Sequence, residues 1–502
     1  MKKPVLTCEE MKKYEQAAIA AGYPSLLLME HAAAAVADAL ERRLQGVKGK
    51  RVLFVCSKGN NGGDGLAVAR IWADRGGLSE IWLTQPPRTP DADTNLRLCS
   101  LRCLPVTDLS QADEMPFEEG ITGFDAIVDA LYGTGFHGTP DALSRLLITA
   151  INEREPGVPV IAVDIPSGIE GDTGLAAADH VRADVTVTFH AAKRGLYLTA
   201  ARADIGQIVI APIGLDDLDD DITGGLLASA LLRMDTEELR YLPERALTAH
   251  KGDHGRVLIY AGSMGMAGAA AMCARACVTA GAGLVTIACE KELIPVLQVL
   301  VPCAMCIPVE KAVAERPAYD VFVCGCGLGQ NDEKWQNILA LWDEERPSVW
   351  DADALNMLSA HPMHLGELAV ITPHIGEAAR LLRQSNAEVS ADRVKAVKAL
   401  HRKFGCTVVL KSDIPLICDG REITLIANGT PALAKGGSGD VLCGVIASLY
   451  AQGCDEPAAM GALWHAAAAA AGEKRCGRRE MTAEDLIGSL HEAEAAANEE
   501  NA

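Results

Sequence analysis

From residue 51 onward the chain repeats one pattern: a short run of β-branched and apolar residues, a glycine-bearing turn, then an alanine-rich stretch of helical period. Such alternation predicts parallel sheets with crossover helices, an α/β class. The runs RVLFVC (51–56), EIWLT (80–84), DAIVDAL (125–131), PVIAVDI (159–165), ADVTVTF (183–189) and GQIVIA (206–211) predict the strands of a first core. Two helices precede them, MKKYEQAAIAA and the stretch from Ser25 to Leu44, both with apolar residues at helical spacing. Between Pro212 and Gly225 the sequence turns acidic and glycine-bearing, GLDDLDDDITGG, which marks a boundary. A second set of strands follows: RVLIYAG (256–262), LVTIAC (284–289), YDVFVCG (319–325), PSVWDAD (347–353), ELAVITP (367–373), CTVVLK (406–411) and PLICDG (415–420). After Gly439 the chain reads as almost wholly helical to Glu494. The two halves share a class but no spacing of motifs, so two different folds are expected, in domains 1–220 and 225–502.

At 502 residues the chain is long enough for more than one core, and 49% hydrophobic with 23% charged residues is a globular composition. Aromatic residues at 4% disfavour base-stacking platforms, and a formal charge of −21 has the wrong sign for tracking a phosphate backbone. Nucleic acid is therefore not an expected partner. The opening MKKPVLTCEEMKK lacks an apolar core, which predicts no secretory signal and a cytoplasmic protein. The apolar stretch 267–289 carries Arg275 and interior glycines, so it predicts a buried helix and a strand, with no membrane partner. Sixteen cysteines in such a chain are expected as reduced thiols packed like small hydrophobes. Cys303 and Cys306 form a C-x-x-C without a second pair, so no structural zinc is expected there. A homo-oligomer is expected.

Immediately after the first strand, KGNNGGDG places a glycine cluster between strand and helix, where backbone N–H groups and the helix terminus can face an anion. A tight turn that only needs glycine is the plainer reading of such a cluster. It is neither a dinucleotide G-x-G-x-x-G nor a Walker loop. Two further strand ends, VDALYGTGFHGTP (128–140) and VDIPSGIEGDTG (163–174), carry polar groups. In a parallel sheet these ends face one crevice, which would gather Asn61, Asp129, Asp164 and Ser167. Their oxygens suit a hard cation.

In this order GNNGGDG, VDALYGTG and VDIPSG resemble the NAD(P)H-hydrate epimerase family over nearly all of residues 1–215. The resemblance implies a Rossmann-like three-layer domain that interconverts the R and S forms of hydrated NADH and NADPH. It implies potassium ligands at Asn61, Asp129 and Ser167. Hydrate contacts are implied at Asn60, Asn61, Gly62, Gly63 and Asp64, and again at Gly133, Thr134, Gly135, Phe136, His137, Gly138 and Thr139. Asp164 is implied as a hydrate contact and as the catalytic acid/base, with Lys193 near the pocket.

In the second half, KGGSGDVLCGVIASL (435–449) sets Gly436 to Gly439 before an apolar helix predicted to start at about Asp440. Amides of that turn form an anion hole with a carboxylate beside it, which is what phosphoryl transfer to a hydroxyl requires. An ordinary glycine turn capped by an aspartate is the alternative. HKGDHG, GCGLG (325–329), DADALN (351–356), TPHIGE and GGSGD together resemble the ADP-dependent NAD(P)H-hydrate dehydratase family, of ribokinase-like α/β fold, over about 225–495. The resemblance implies that ADP phosphorylates the hydroxyl of the S-hydrate and that phosphate then leaves, giving reduced cofactor and AMP. Implied hydrate contacts are Ala267, Gly329, His374 and Asp440, the last also catalytic. Implied nucleotide contacts are Lys411, Ser412, Asp413, Ile414, Pro415 and Gly439, and magnesium is expected with the nucleotide. The chain reads KSDIP where that family usually has a lysine and glycine before a hydroxyl, so the nucleotide is ADP or ATP. A small-molecule kinase fused to a binding domain, or a non-catalytic scaffold, are the competing readings.

Overall fold

The computed structural model describes residues 3–112, 115–117, 120–215 and 230–499. The chain divides into two compact units, 4–229 and 230–502, the second together with residues 1–3. The acidic run from Asp216 to Gly225 lies outside the described residues.

In the first unit the strands are β1 (Lys3–Leu6), β2 (Arg51–Cys56), β3 (Leu78–Leu83), β4 (Val106–Asp108), β5 (Ala126–Ala130), β6 (Val160–Val163), β7 (Val185–Phe189), β8 (Ala192–Lys193) and β9 (Gln207–Ala211). Seven of them form a sheet in the order β4-β3-β2-β5-β6-β7-β9, every pair parallel. Its strands are buried on both faces, so alternate residues serve two cores. Val52, Phe54 and Cys56 pack with Val36, Leu40, Leu66 and Trp72 of the helices Ser25–Leu44 and Asn60–Asp74. Leu53 and Val55 point the other way, toward Leu147 and Ile151 of the helix Ala142–Asn152. This is the three-layer arrangement, helices on both faces of a parallel sheet. Chain order reverses at β2, which has β3 on one side and β5 on the other. Crevices open at the carboxyl ends of strands at such a reversal. Two short strands, β4 and β8, carry too few apolar residues to show in the sequence.

In the second unit the strands are β10 (Ala230–Arg233), β11 (Arg256–Tyr260), β12 (Leu284–Cys289), β13 (Met305–Pro308), β14 (Val321–Cys324), β15 (Ser348–Trp350), β16 (Ala369–Ile371), β17 (Thr407–Leu410), β18 (Leu416–Cys418) and β19 (Ile423–Ile426). Their order is β13-β12-β11-β14-β15-β16-β17-β18-β19-β10. The expectation of parallel pairing holds from β13 to β17. It fails beyond, where β17–β18 and β18–β19 are antiparallel. Residues 411–415 are too short a connection for a crossover helix, so the chain can only turn back on itself. The helices Ala267–Thr279 and Ser438–Ala451 pack on each other over one face. Gly444 permits the approach: a Cβ there would overlap the Cys273 carbonyl. Among the described residues no helix is long and apolar enough to cross a membrane.

Candidate active sites

In the first unit a cavity of about 500 Å³ opens at the carboxyl ends of β2, β5 and β6. Asn60, Asn61 and Asp64 from the start of the helix Asn60–Asp74 line it, with Gly133 to Phe136 from the loop after β5, Asp164 from the loop after β6, and Glu15 from the first helix. Tyr132 and Phe136, with ring centroids 5.1 Å apart, supply an aromatic wall. Not every residue anticipated by resemblance reaches this cavity. His137, Gly138 and Thr139 are exposed outside the lining, and Gly138 N donates to Glu170 Oε1 at 3.1 Å. Gly62 and Gly63 are buried beneath it, where a Cβ on Gly62 would overlap the Ser57 backbone and one on Gly63 would press on Ala92 and Met29. Gly62 lets the helix start close to the chain that precedes it, and Gly63 lets it pack on the helices Ser25–Leu44 and Pro90–Leu101.

Asp164 lies at the end of β6 with φ 65°, a left-handed conformation that costs a non-glycine residue of order 1–3 kcal/mol. What holds it there is a buried network. Lys193 Nζ donates to Asp164 Oδ1 at 2.6 Å, to Thr188 Oγ1 at 3.2 Å and to the Phe189 carbonyl at 3.1 Å. The Thr188 hydroxyl adds a second bond to Asp164 Oδ1 at 2.9 Å. Pairing of β1 with β8, Leu6 opposite Lys193, fixes the lysine's place. Burial pushes the Asp64 carboxyl well above its usual range, and the charges of Asp164 and Glu15 push the same way. Glu15 is raised by burial and by Asp164, with Lys193 opposing. Helical spacing gave no sign that Glu15 faces this cavity.

Asp129 and Ser167 meet under the cavity wall and do not line it. The Ser167 hydroxyl donates to Asp129 Oδ1 at 2.6 Å and its N–H to Oδ2 at 2.8 Å, while Leu131 N donates to Oδ1 at 3.2 Å. Burial pushes the Asp129 carboxyl up to about 6, against these hydrogen bonds. The Asn61 amide Nδ2 is buried without a hydrogen-bond partner, and its Oδ1 sits 2.9 Å from where a Cβ on Gly133 would be.

In the second unit the polar residues again gather at strand ends. The helix Ser438–Ala451 begins two residues earlier than predicted, because Gly437 takes the left-handed N-cap position at φ 95°. Asp440 is therefore the third residue of the helix; Ser438 N donates to the Lys435 carbonyl at 3.4 Å, and the first-turn N–H groups of Gly439 and Asp440 have no acceptor within the helix. His465 Nε2 lies 2.9 Å from the Ser438 carbonyl and braces the turn; burial holds that imidazole down at about 4. Burial pushes Asp440 up to about 6, with the charge of Asp351 adding to it.

Asp351 and Lys411 stand beside this turn. Lys411 Nζ donates to Asp351 Oδ1 at 2.6 Å and lies 4.0 Å from Glu377 Oε2. Burial presses the ammonium down, but its carboxylate neighbours, Asp351 foremost, prevail and hold it above its usual range. A Cβ on Gly439 would lie 3.2 Å from Lys411 Nζ and 3.5 Å from Asp351 Oδ2, so the pair abuts the helix start. Asp351 belongs to DADALN, whose sequence showed a polar strand end but not which carboxylate would be buried.

Lys411 N also donates to the Pro373 carbonyl at 2.8 Å, which sets Lys411 beside His374. His374 caps its helix: Nδ1 accepts from Gly376 N at 3.0 Å, and its other nitrogen, Nε2, lies 3.4 Å from Glu377 Oε1. The loop Lys411 to Pro415 joins two antiparallel strands, with buried Arg393 donating to Ser412 Oγ at 2.9 Å and to the Asp413 carboxylate, and Ile414 buried. Ala267 opens the helix Ala267–Thr279, and the loop before it meets the 325–329 loop through a bond from Ser263 Oγ to the Gly327 carbonyl at 2.9 Å. Gly329 N donates to Asp353 Oδ2 at 2.7 Å.

The two units match different family models: one described as YjeF-related protein N-terminus over residues 25–195, and one described as NAD(P)H-hydrate dehydratase over 257–492. A protein of Coxiella burnetii named bifunctional NAD(P)H-hydrate repair enzyme Nnr is 35% identical over 488 residues, 96% of this chain and 97% of that one. The Escherichia coli protein of the same name is 36% identical over 444 residues, 87% of this chain and 84% of that one. Among solved structures, the ADP/ATP-dependent NAD(P)H-hydrate dehydratase of Bacillus subtilis, co-crystallised with ATP and Mg²⁺, is 26% identical and covers 52% of this chain and 97% of its own, with a TM-score of 0.49.

Proposed function

Since the chain belongs to the family of bifunctional NAD(P)H-hydrate repair enzymes, we propose that its two units divide one repair between them. The first, residues 1–220, interconverts the R and S hydrates of NADH and NADPH. The second, residues 225–502, dehydrates the S form at the expense of ADP, or of ATP, and releases reduced cofactor and phosphate. The observation that carries the second reaction is the helix start at Gly437, where free amides, a carboxylate and an ammonium converge.

In the second unit Asp440 takes the proton of the substrate hydroxyl as the phosphoryl group arrives. A carboxylate raised to about 6 accepts that proton more readily than an ordinary aspartate, yet is mostly ionised at pH 7. First-turn amides and Lys411 face the charge on the phosphoryl oxygens. Phosphate then leaves with the electrons of its C–O bond. Gly439 and the loop Lys411 to Pro415 hold the nucleotide; Ala267, Gly329 and His374 hold the hydrate. Magnesium comes with the nucleotide phosphates and needs few protein ligands.

In the first unit Asp164 moves a proton at the hydrated ring carbon, held in place by Lys193 and Thr188. Asn60, Asn61, Asp64 and Gly133 to Phe136 hold the hydrate within the cavity. A potassium-class cation suits the oxygens of Asn61, Asp129 and Ser167, since Asp129 is buried with no cationic side chain bonded to it among the described residues. When bound, it supplies positive charge against a substrate phosphate.

Incubation of the full chain with mixed hydrate epimers and ADP tests the reading through the absorbance of reduced nicotinamide. Both epimers should be consumed with stoichiometric AMP and phosphate. Recovery that stops at the S fraction removes the epimerase half, and a stable phosphorylated product makes the second unit a kinase. Separate fragments 1–220 and 225–502 should each keep its own reaction.

A further inference from the structure

The catalytic turn of the second unit rests on sulfur. Cys326, just past the end of β14, and Cys443, one turn into the helix Ser438–Ala451, are fully buried, and their Sγ atoms lie with a carboxylate oxygen of Asp351 all within 4.8 Å of one another. Cys273, brought in by the close helix approach at Gly444, interacts with Cys326, and so does the carboxylate of Asp440. Asp351 Oδ1 is taken by Thr372 Oγ1 at 2.8 Å and Lys411 Nζ at 2.6 Å, which leaves its other oxygen unengaged among the described residues. Packing as small hydrophobes explains isolated buried cysteines. It does not explain two thiols and a charged carboxylate converging beneath the partly exposed Asp440.

We propose that Cys326, Cys443 and Asp351 form a binding site for a thiophilic divalent cation of the zinc class, completed by Asp440, and that its occupancy shuts the dehydratase. This rests on the assignment of Asp440 as the base. Two thiolates and a carboxylate oxygen within 4.8 Å of one another suit zinc or cadmium, whereas magnesium avoids sulfur. The charge left over is small: two thiolates and the carboxylates of Asp351 and Asp440 leave a divalent ion with two excess negative charges, of which Lys411, standing against Asp351, meets one. Binding releases the two thiol protons, so affinity rises with pH. Asp440 gives the ion its way in, being the only member of this group that is not fully enclosed. Ligating the metal, it can no longer take the hydroxyl proton.

The test uses the full chain and Cd²⁺, whose thiolate complexes absorb in the ultraviolet, with Zn²⁺ as the competitor. One equivalent should bind with a thiolate-to-cadmium band, and both ions should inhibit ADP-dependent recovery of reduced cofactor while sparing epimerisation. Cys443→Ser should keep the metal-free dehydratase rate, lose the band and weaken both binding and inhibition by more than the roughly 10–100-fold that loss of an outer-shell partner costs. Cys326→Ser should weaken binding likewise, which guards against misfolding of either variant. A wild-type band and wild-type inhibition in both variants would overturn the site. A chain with no dehydratase activity before metal is added would overturn the assignment of Asp440 instead, and the band would still report the site.

Discussion

Each unit holds a lysine–aspartate pair at 2.6 Å beside its candidate site, but the two pairs are used differently. In the first, Asp164 is both the candidate acid/base and the lysine's partner, and it also carries the strained backbone. In the second the tasks are split. Asp351 pairs with Lys411, and Asp440 makes no ion pair of its own: burial and the charge of Asp351 disfavour its ionised form and outweigh the Cys326 thiol and the Lys411 charge, which favour it. A carboxylate tied to a buried ammonium is fixed in place, whereas one set among groups that disfavour its charge is readier to take a proton. Catalysis and structural support should therefore be separable in the second unit and inseparable in the first.

The largest effect expected is on turnover in the second unit. Asp440→Asn keeps the size and the helix position but cannot take a proton, so ADP-dependent recovery should fall by roughly 10²–10⁴ while epimerisation is unchanged. Nucleotide and hydrate should still bind, as calorimetry would register. Near wild-type recovery would shift the role to His374.

Next comes the first unit's pair. Lys193→Met removes the cation and leaves Asp164 buried without its partner, a change that costs about 3–5 kcal/mol when a buried pair is broken. Epimerisation and the unfolding midpoint of the first unit should fall together, and Asp164→Asn should do the same by stranding Lys193. If either variant loses activity at unchanged stability, the two tasks are separable there as well and the contrast between the units fails.

A smaller effect is expected at Asp129. Its alanine variant leaves the Ser167 hydroxyl and N–H without their acceptor and removes the one charge among the three proposed potassium ligands. Potassium activation of the epimerase should weaken by at least the roughly 10–100-fold seen on losing an outer-shell partner, with the dehydratase unaffected. Unchanged potassium response would remove the cation from this site.

Most of the architecture is legible because strands buried on both faces leave continuous apolar runs, such as RVLFVC and RVLIYAG, between glycine turns. Asp164 and Asp440 are legible for a related reason: a polar residue at the carboxyl end of a parallel strand, or at a glycine-led helix start, faces the crevice, whereas Asp129, read the same way, is buried under the cavity wall. What the sequence hides is contact between distant segments. Neither the pairing of Lys411 with Asp351 sixty residues away nor the arrival of Glu15 from the first helix leaves a local pattern. The sulfur cluster is hidden for the same reason, since Cys273, Cys326 and Cys443 come from three separate elements. The helix Ser438–Ala451 starts ahead of its predicted position because Ser438 and Gly439 are weak helix formers, and only the left-handed Gly437 shows where the turn begins.

The smallest effect is the most direct comparison of the two aspartates, because it changes sign between them. Burial and the charge of Asp351 push Asp440 up to about 6 in the folded protein from 3.8 for an unperturbed aspartate, so between those values the folded state binds more protons than the unfolded one. Stability then falls as pH rises through this window, and at pH 7 the ionised carboxylate is a net cost. Asp440→Asn removes that cost. Its unfolding free energy at pH 7 should exceed that of the wild type by about 1–2 kcal/mol, a shift of two units discounted for partial exposure, and the gain should vanish by about pH 4. Other raised carboxylates such as Asp129 and Asp64 contribute the same slope to both proteins, so the difference between wild type and variant isolates Asp440. Asp164→Asn should go the other way, destabilised at pH 7 because Lys193 keeps its charge and loses its partner. Denaturant unfolding of both variants at pH 7 and pH 4 checks the signs, and a destabilised Asp440→Asn would mean that its carboxylate is anchored in the fold as firmly as that of Asp164.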